Sequence, residues 1–297
     1  MNYLITGATG FIGQRLVNYL LHSGNEVNYL SRQRRETLDG RAAFHIWKRD
    51  EEPSLNSVPR LDAIIHLAGE PVAQRWNENV KRAIYSSRVD GTRKLVTAVE
   101  KLKHKPSVLV SASAVGIYGD RGDEVLTEAS APGKDFLADV CVAWEREALR
   151  ARDFGLRVVL IRIAIVLGPH GGALKQMLVP FRLGVGGPLG SGKQWMPWIE
   201  LDDLVRLFVF AAENQNIHGA LNGAAPEPVT NAQFTKALSQ VLHRPAMMPV
   251  PKFALRIAMG EVADYMLASQ RVVPEATQQA GFRFEHSRIE NALRNVI

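Results

Sequence analysis

The chain is poor in cysteine and has no long apolar run. Its 297 residues contain one cysteine, Cys141, which excludes an internal disulfide and suits a reducing compartment. No stretch approaches the ~20 consecutive apolar residues of a membrane helix. The first residues enter a strand-like segment at once, with no basic region followed by an apolar one. No signal peptide is therefore expected, and the cytoplasm is the expected location. Internal repeats and low-complexity segments are absent from the sequence. Neither sign of charge dominates: 36 Lys and Arg against 30 Asp and Glu leave +6, spread along the chain. The tightest basic cluster, Arg32-Gln33-Arg34-Arg35, has no aromatic-rich RNA-binding motif beside it. Neither nucleic acid nor a membrane is expected as a partner, and no metal ligand set is expected. The expected partner is a small molecule, and the sequence leaves monomer and homodimer open.

With 46% hydrophobic residues, the chain can form one large α/β domain, or one plus a small lobe. Its organising stretch is Gly7-Ala8-Thr9-Gly10-Phe11-Ile12-Gly13. Before it, Tyr3-Leu4-Ile5 reads as a buried strand; after it, Leu16, Val17, Leu20 and Leu21 share one helical face. Strand, glycine turn and helix in that order form a phosphate cradle. Gly7 permits the turn, Gly10 lets backbone approach a pyrophosphate, and Gly13 lets the helix pack close on the strand. The open N–H groups and dipole at the helix start favour the anion. A dinucleotide is the expected ligand.

Residues 26–32 read as a second strand. Where an NAD-preferring fold carries an Asp or Glu for the ribose 2′-hydroxyl, this chain has Ser31 followed by Arg32. A carboxylate would repel a 2′-phosphate, whereas a hydroxyl and a guanidinium accept one. The cofactor expected is therefore NADP, with Arg32 as the main clamp and Arg34 or Arg35 as helpers or solvated neighbours. Residues 42–47, 61–69, 107–113 and 157–165 read as further strands, and 76–101 and 136–152 as helices. His66, inside a buried strand, reads as a core imidazole rather than a base. Arg88 either reaches the cofactor or pairs with a carboxylate. Ser111-Ala112-Ser113 ends a strand where an open α/β sheet gathers its chemistry. Residues 184–192 are glycine-rich, a lid candidate. Trp195-Met196-Pro197-Trp198-Ile199 lines a pocket or belongs to the core. Asp202-Asp203 and Thr230 precede two further helices. The expected architecture is a doubly wound parallel sheet of the Rossmann type over residues 1–168, completed by parts of 195–225. A smaller substrate or lid lobe is expected over 169–297.

These segments together resemble the extended short-chain dehydrogenase/reductases, the nucleotide-sugar epimerases and their relatives. His66-Leu67-Ala68-Gly69-Glu70, Trp76-Asn77, Trp144-Glu145, Gly186-Gly187-Pro188-Leu189-Gly190-Ser191-Gly192, Pro197-Trp198-Ile199 and Leu221-Asn222-Gly223-Ala224-Ala225-Pro226 resemble an atypical branch. Its members are called epimerase family proteins and carry a distinctive C-terminal segment. The resemblance spans the chain and implies an NADP-dependent oxidoreductase or epimerase-like activity. It implies that Gly7, Thr9, Gly10, Phe11, Ile12 and Gly13 cradle the pyrophosphate, and that Ser31 and Arg32 hold the ribose phosphate. It further implies that Leu67, Ala68 and Gly69 line the cofactor's path, with Arg88 nearby and Val166 beside the nicotinamide.

The wider superfamily uses a serine, a tyrosine and a lysine four residues later. Ser113 occupies the serine position, but Leu137 and Cys141 stand where the tyrosine and lysine belong. Tyr118 is the nearest tyrosine in sequence, so Ser113 and Tyr118 are the catalytic candidates. The alternative is an NADP(H)-binding sensor or regulator that has lost catalysis.

Overall fold

The computed structural model describes residues 1–48, 50–169 and 171–297. Seven parallel strands among them form the central sheet: β1 (Asn2–Thr6), β2 (Glu26–Ser31), β3 (Ala43–Ile46), β4 (Ala63–His66), β5 (Val108–Ala114), β6 (Arg157–Ile163) and β7 (Gly219–Gly223). Their order across the sheet is β7-β6-β5-β4-β1-β2-β3. The order reverses at β1, between β2 and β4. In an open α/β sheet, the crevice for a ligand opens beside such a point, at the carboxyl ends of the strands.

Strand alternation divides the core into two layers. From β1, Tyr3 and Ile5 pack toward helices α1 (Phe11–His22) and Leu201–Glu213, meeting Leu16, Leu20, Leu204 and Phe208. Leu4 points the other way, with Ile64 and Leu109, toward Leu95, Val96 and Val99 of α2 (Glu78–Glu100) and Ala148 of α3 (Phe136–Leu149). Buried on both faces, β1 and β4 are apolar almost throughout, which is why they read as continuous runs rather than alternating ones.

The run at 61–69 is strand only to His66. Leu67, Ala68 and Gly69 leave the sheet and pass over the glycine turn. A Cβ on Gly7, which has φ +71°, would lie 2.7 Å from the Leu67 carbonyl carbon. Gly7 is thus required both for its left-handed backbone and for this close approach.

Two-stranded pairings build the layer beyond the sheet. Ile165–Leu167 runs parallel to Trp198–Glu200, and Trp195–Met196 antiparallel to Val229–Thr230. Helices Gly172–Arg182, Asn231–Leu242 and Ile289–Val296 pack there around Trp198, Phe234 and Leu293. The chain's tail also returns to the main sheet layer. Phe282 packs tilted against Phe210 with ring centroids 5.4 Å apart, and Asp203 accepts the backbone N–H groups of Glu285 and His286 at 2.9 and 2.8 Å.

The glycine-rich segment 184–192 is pinned at several points. Gly190 N–H donates to the Val250 carbonyl and Val250 N–H to that of Pro188, both at 2.9 Å. Leu189 N–H donates to Asn231 Oδ1 at 2.7 Å. These ties hold it between Asn231–Leu242 and the C-terminal segment. No helix of the described residues is long and apolar enough to cross a membrane.

Candidate dinucleotide and substrate site

At the reversal point lies a cavity of about 260 Å³ lined by Gly7, Thr9, Gly10, Ser31, Arg32 and Leu67-Ala68-Gly69, with Ser86 and Ser87 of α2. The N-cap of α1 is Gly10, and no side chain of the described residues caps it. Its first N–H groups are therefore open to an anion. A Cβ on Gly13 would overlap the Gly7 carbonyl oxygen, so α1 can start this close to the turn only with glycine there. Beyond Ser31, a second, polar hollow of about 290 Å³ is lined by Thr9, Ser31, Arg32, Gln33 and Arg35. Arg35, one of the two suggested helpers, joins Arg32 there; Arg34 does not.

Not every expected cofactor residue faces these hollows. The Phe11 ring fills the space beside Gly168, Gly171 and Gly172, where any Cβ would strike it. Ile12 and Val166 pack against the main core. Next to Val166, Ile163-Ala164-Ile165 form a wall of a larger cavity of about 320 Å³, reached by the ends of β5 and β6. Leu137, Val140 and Cys141 of α3 form a second wall, and Trp195-Met196-Pro197 a third. The aromatic-rich motif thus divides: its first three residues line the cavity, while Trp198 and Ile199 are core, 1% and 0% exposed.

Arg88 lines this larger cavity, and its guanidinium packs against Gly69 of the smaller one. It lies 5.3 Å over the Trp144 ring, and Nη1 donates to the carbonyls of Glu70 (2.9 Å) and Ile84 (3.3 Å). The Cys141 thiol is buried and pushed up to about 12, first by desolvation and then by the Glu145 carboxylate. It is a neutral wall residue at neutral pH, not an activated nucleophile.

Ser113 and Tyr118 sit behind the cavity wall, 2% and 0% exposed. Ser113 Oγ donates to Glu145 Oε1 at 2.7 Å, and Glu145 accepts a two-pronged bond from Arg162 at 2.9 and 3.0 Å. Arg162 also donates to the Tyr118 hydroxyl at 3.1 Å, and that hydroxyl donates to Asn222 Oδ1 at 2.7 Å. Burial raises the Tyr118 pKa, and the adjacent Arg162 opposes the shift without cancelling it. Donor and acceptor of this tyrosine are both engaged, so the structure gives it a bracing position rather than one facing a substrate.

Glu145, Arg162 and Asn222 were not singled out as site residues. Their signal is a charged or amide side chain within an otherwise apolar segment, such as Arg162 in Val158-Val159-Leu160-Ile161-Arg162-Ile163, which demands a buried partner. His66 is fully buried in the same layer, its ring nitrogens 2.6 Å from Thr6 Oγ1 and 2.9 Å from Thr92 Oγ1.

A doubly wound parallel sheet with a glycine turn at its reversal point defines an α/β protein of the Rossmann type. This chain belongs to the NAD dependent epimerase/dehydratase family, whose model matches residues 3–222. Residues 250–296 match a further model, a domain of unknown function (DUF1731). Epimerase family protein YfhF of Bacillus subtilis is 39% identical, over 100% of this chain and 98% of its own length. The crystal structure of human epimerase family protein SDR39U1 with NADPH superposes with a TM-score of 0.90 at 34% identity, covering 100% of this chain and 99% of that one. The nucleoside-diphosphate sugar epimerase of Corynebacterium glutamicum, 35% identical with a TM-score of 0.80, is matched over 99% of this chain and 57% of that one.

Proposed function

We propose that this chain is an NADP(H)-dependent oxidoreductase or epimerase-like enzyme acting on a small molecule in the larger cavity. The observation that carries the reading is the pairing of Ser31 with Arg32 at the end of β2, with Arg35 beside them in one polar hollow. Such a hollow favours a 2′-phosphate over a bare ribose hydroxyl. Support also comes from the human relative, whose crystal structure contains NADPH.

Gly7, Thr9, Gly10 and the start of α1 would hold the pyrophosphate, and Leu67, Ala68 and Gly69 would bound the ribose. Bound there, the nicotinamide supplies a hydride donor or acceptor at the larger cavity. Ile163-Ala164-Ile165 and Leu137 exclude water from that cavity with apolar walls. Ser113 and Tyr118 act as positioning residues: through Glu145 and Arg162 they fix the ends of β5 and β6, on which those walls stand. A reducing compartment such as the cytoplasm suits the single buried thiol.

A second reading, a nucleotide-responsive regulatory protein without turnover, is favoured by one observation. The positions expected to carry the tyrosine and lysine hold Leu137 and Cys141, and both face the cavity. One experiment separates the two. Purified protein is titrated with NADPH and then incubated with panels of carbonyl compounds and sugar nucleotides while NADPH absorbance is followed. Oxidation that depends on a panel member is the expected result. Binding without oxidation favours the regulatory reading, and absence of NADPH binding overturns both.

A further inference from the structure

We infer that the larger cavity selects a compound with an apolar body and one anionic group, a monocarboxylate anchored by Arg88, rather than a nucleotide sugar. The inference rests on the proposed NADP(H) site, because it assigns the adjoining cavity to the substrate.

Among the described residues lining the cavity, Arg88 is the one side chain carrying a full charge at neutral pH. Cys141 is held neutral by burial, and Tyr265, which the C-terminal segment contributes, is raised above the ordinary tyrosine value by burial and then by Asp135. Arg88 donates through Nη1 to two carbonyls and forms no salt bridge with a described residue; burial lowers its pKa, and Cys141 and the Glu70 carboxylate act against that shift. A guanidinium has five N–H donors; Nε and Nη2 donate to no described partner, Nη2 lying on the Gly69 side, and these donors can pair with a carboxylate.

The other polar groups of the cavity are already engaged. Gln194 Nε2 donates to the Leu189 carbonyl at 3.0 Å. Gln270 Nε2 donates to the carbonyls of Val115 (3.2 Å) and Gly119 (3.0 Å), and Asn231 Oδ1 accepts Leu189 N–H at 2.7 Å. These amides hold the walls in place and offer few free donors to sugar hydroxyls. The remaining lining is chiefly aliphatic, from Val72, Val115, Leu137, Ile163, Met196 and Met266. A nucleotide sugar brings two phosphates and a ring of hydroxyls; one cation and apolar walls would leave most of them desolvated and unpaired. An aliphatic chain ending in a carboxylate pairs its charge with Arg88 and buries its carbons on those walls.

The test uses the full chain and calorimetric titration at about neutral pH, with and without NADPH. The probes are octanoate, its uncharged isostere octanamide, and UDP-glucose. Octanoate is expected to bind the NADPH-loaded protein about tenfold tighter than octanamide, the advantage of a charge-assisted bond, and UDP-glucose to give no heat. In Arg88→Gln the octanoate advantage over octanamide should disappear, and Arg88→Lys should recover part of it. Equal affinity for octanoate and octanamide in the unmodified protein overturns the inference without recourse to a variant. So does tighter binding of UDP-glucose than of octanoate. Loss of NADPH binding in Arg88→Gln equal to the loss of octanoate binding would make Arg88 a cofactor residue and overturn it as well. If the unmodified protein binds octanoate but no NADPH, the proposed function fails while the cavity assignment stands.

Discussion

Glu145 is the residue on which the buried polar layer turns. It accepts from Ser113 and, in a fork, from Arg162, and Arg162 in turn reaches Tyr118. Burial works against the Arg162 cation, but its hydrogen bonds to Glu145 and the attraction of its neighbours more than restore it. Removing one partner of such a pair leaves an uncompensated buried charge. Glu145→Leu is therefore expected to lower unfolding stability by about 3–5 kcal/mol. Tyr118→Phe, which removes one neutral hydroxyl, should cost about 1 kcal/mol. Urea unfolding of both variants checks the ranking, and NADPH affinity of Tyr118→Phe should stay within about twofold of the parent. Cys141 gives a second prediction at this scale. With its thiol pushed up to about 12 by burial, it should resist iodoacetamide in the folded protein at about pH 8 and react on unfolding, as a thiol-counting assay would read. Rapid alkylation of the folded chain would contradict that placement.

At the scale of the element, the strand, turn and helix at the N-terminus are set by small-residue geometry. Gly13 lies where any Cβ would overlap the Gly7 carbonyl, so Gly13→Ala must push α1 away from the turn. The expected outcome is a stability loss of about 1–3 kcal/mol, the usual cost of overpacking, together with weakened NADPH binding. Unaltered binding would show that the start of α1 does not form the anion site. These elements were legible in the sequence because their causes are local. An apolar run of strand length, a glycine spacing and a 3.6-residue period fall within some twenty residues, and α2 and α3 announced themselves in the same way. Other features depend on partners far along the chain. Nothing near residue 113 says that its hydroxyl will meet Glu145, and nothing near residue 189 says that Asn231 and Val250 will tie down a glycine-rich stretch. Residues 195–199 take both roles because the motif splits at Pro197 into two short strands with different partners, with cavity on one side and core on the other.

For the molecule as a whole, His66 links acid to global stability. Burial drops its pKa from 6.5 to about 4, and both ring nitrogens meet threonine hydroxyls. The folded chain therefore keeps the imidazole neutral where the unfolded chain would protonate it. The stability this contributes is complete above pH 6.5 and declines as the pH falls toward 4, by up to about 3 kcal/mol. Urea midpoints measured across that window should fall, and His66→Asn should flatten the slope. A slope unchanged in the variant would assign the acid sensitivity to other groups. The sheet order also sets the working layout. The reversal at β1 opens the crevice for a dinucleotide, β2 carries Arg32 to its far end, and β5 and β6 deliver walls of the larger cavity. Both proposed ligands thus lie at the carboxyl end of one sheet.

On the proposed function, Arg32 selects the phosphorylated pyridine nucleotide. The most direct measurement is a paired titration of the unmodified chain and of Arg32→Glu with NADPH and NADH. The unmodified chain should prefer NADPH by at least about tenfold, and the variant, with a carboxylate where the phosphate would sit, should lose or invert that preference. An identical preference in both proteins, or none in the unmodified chain, would contradict the account.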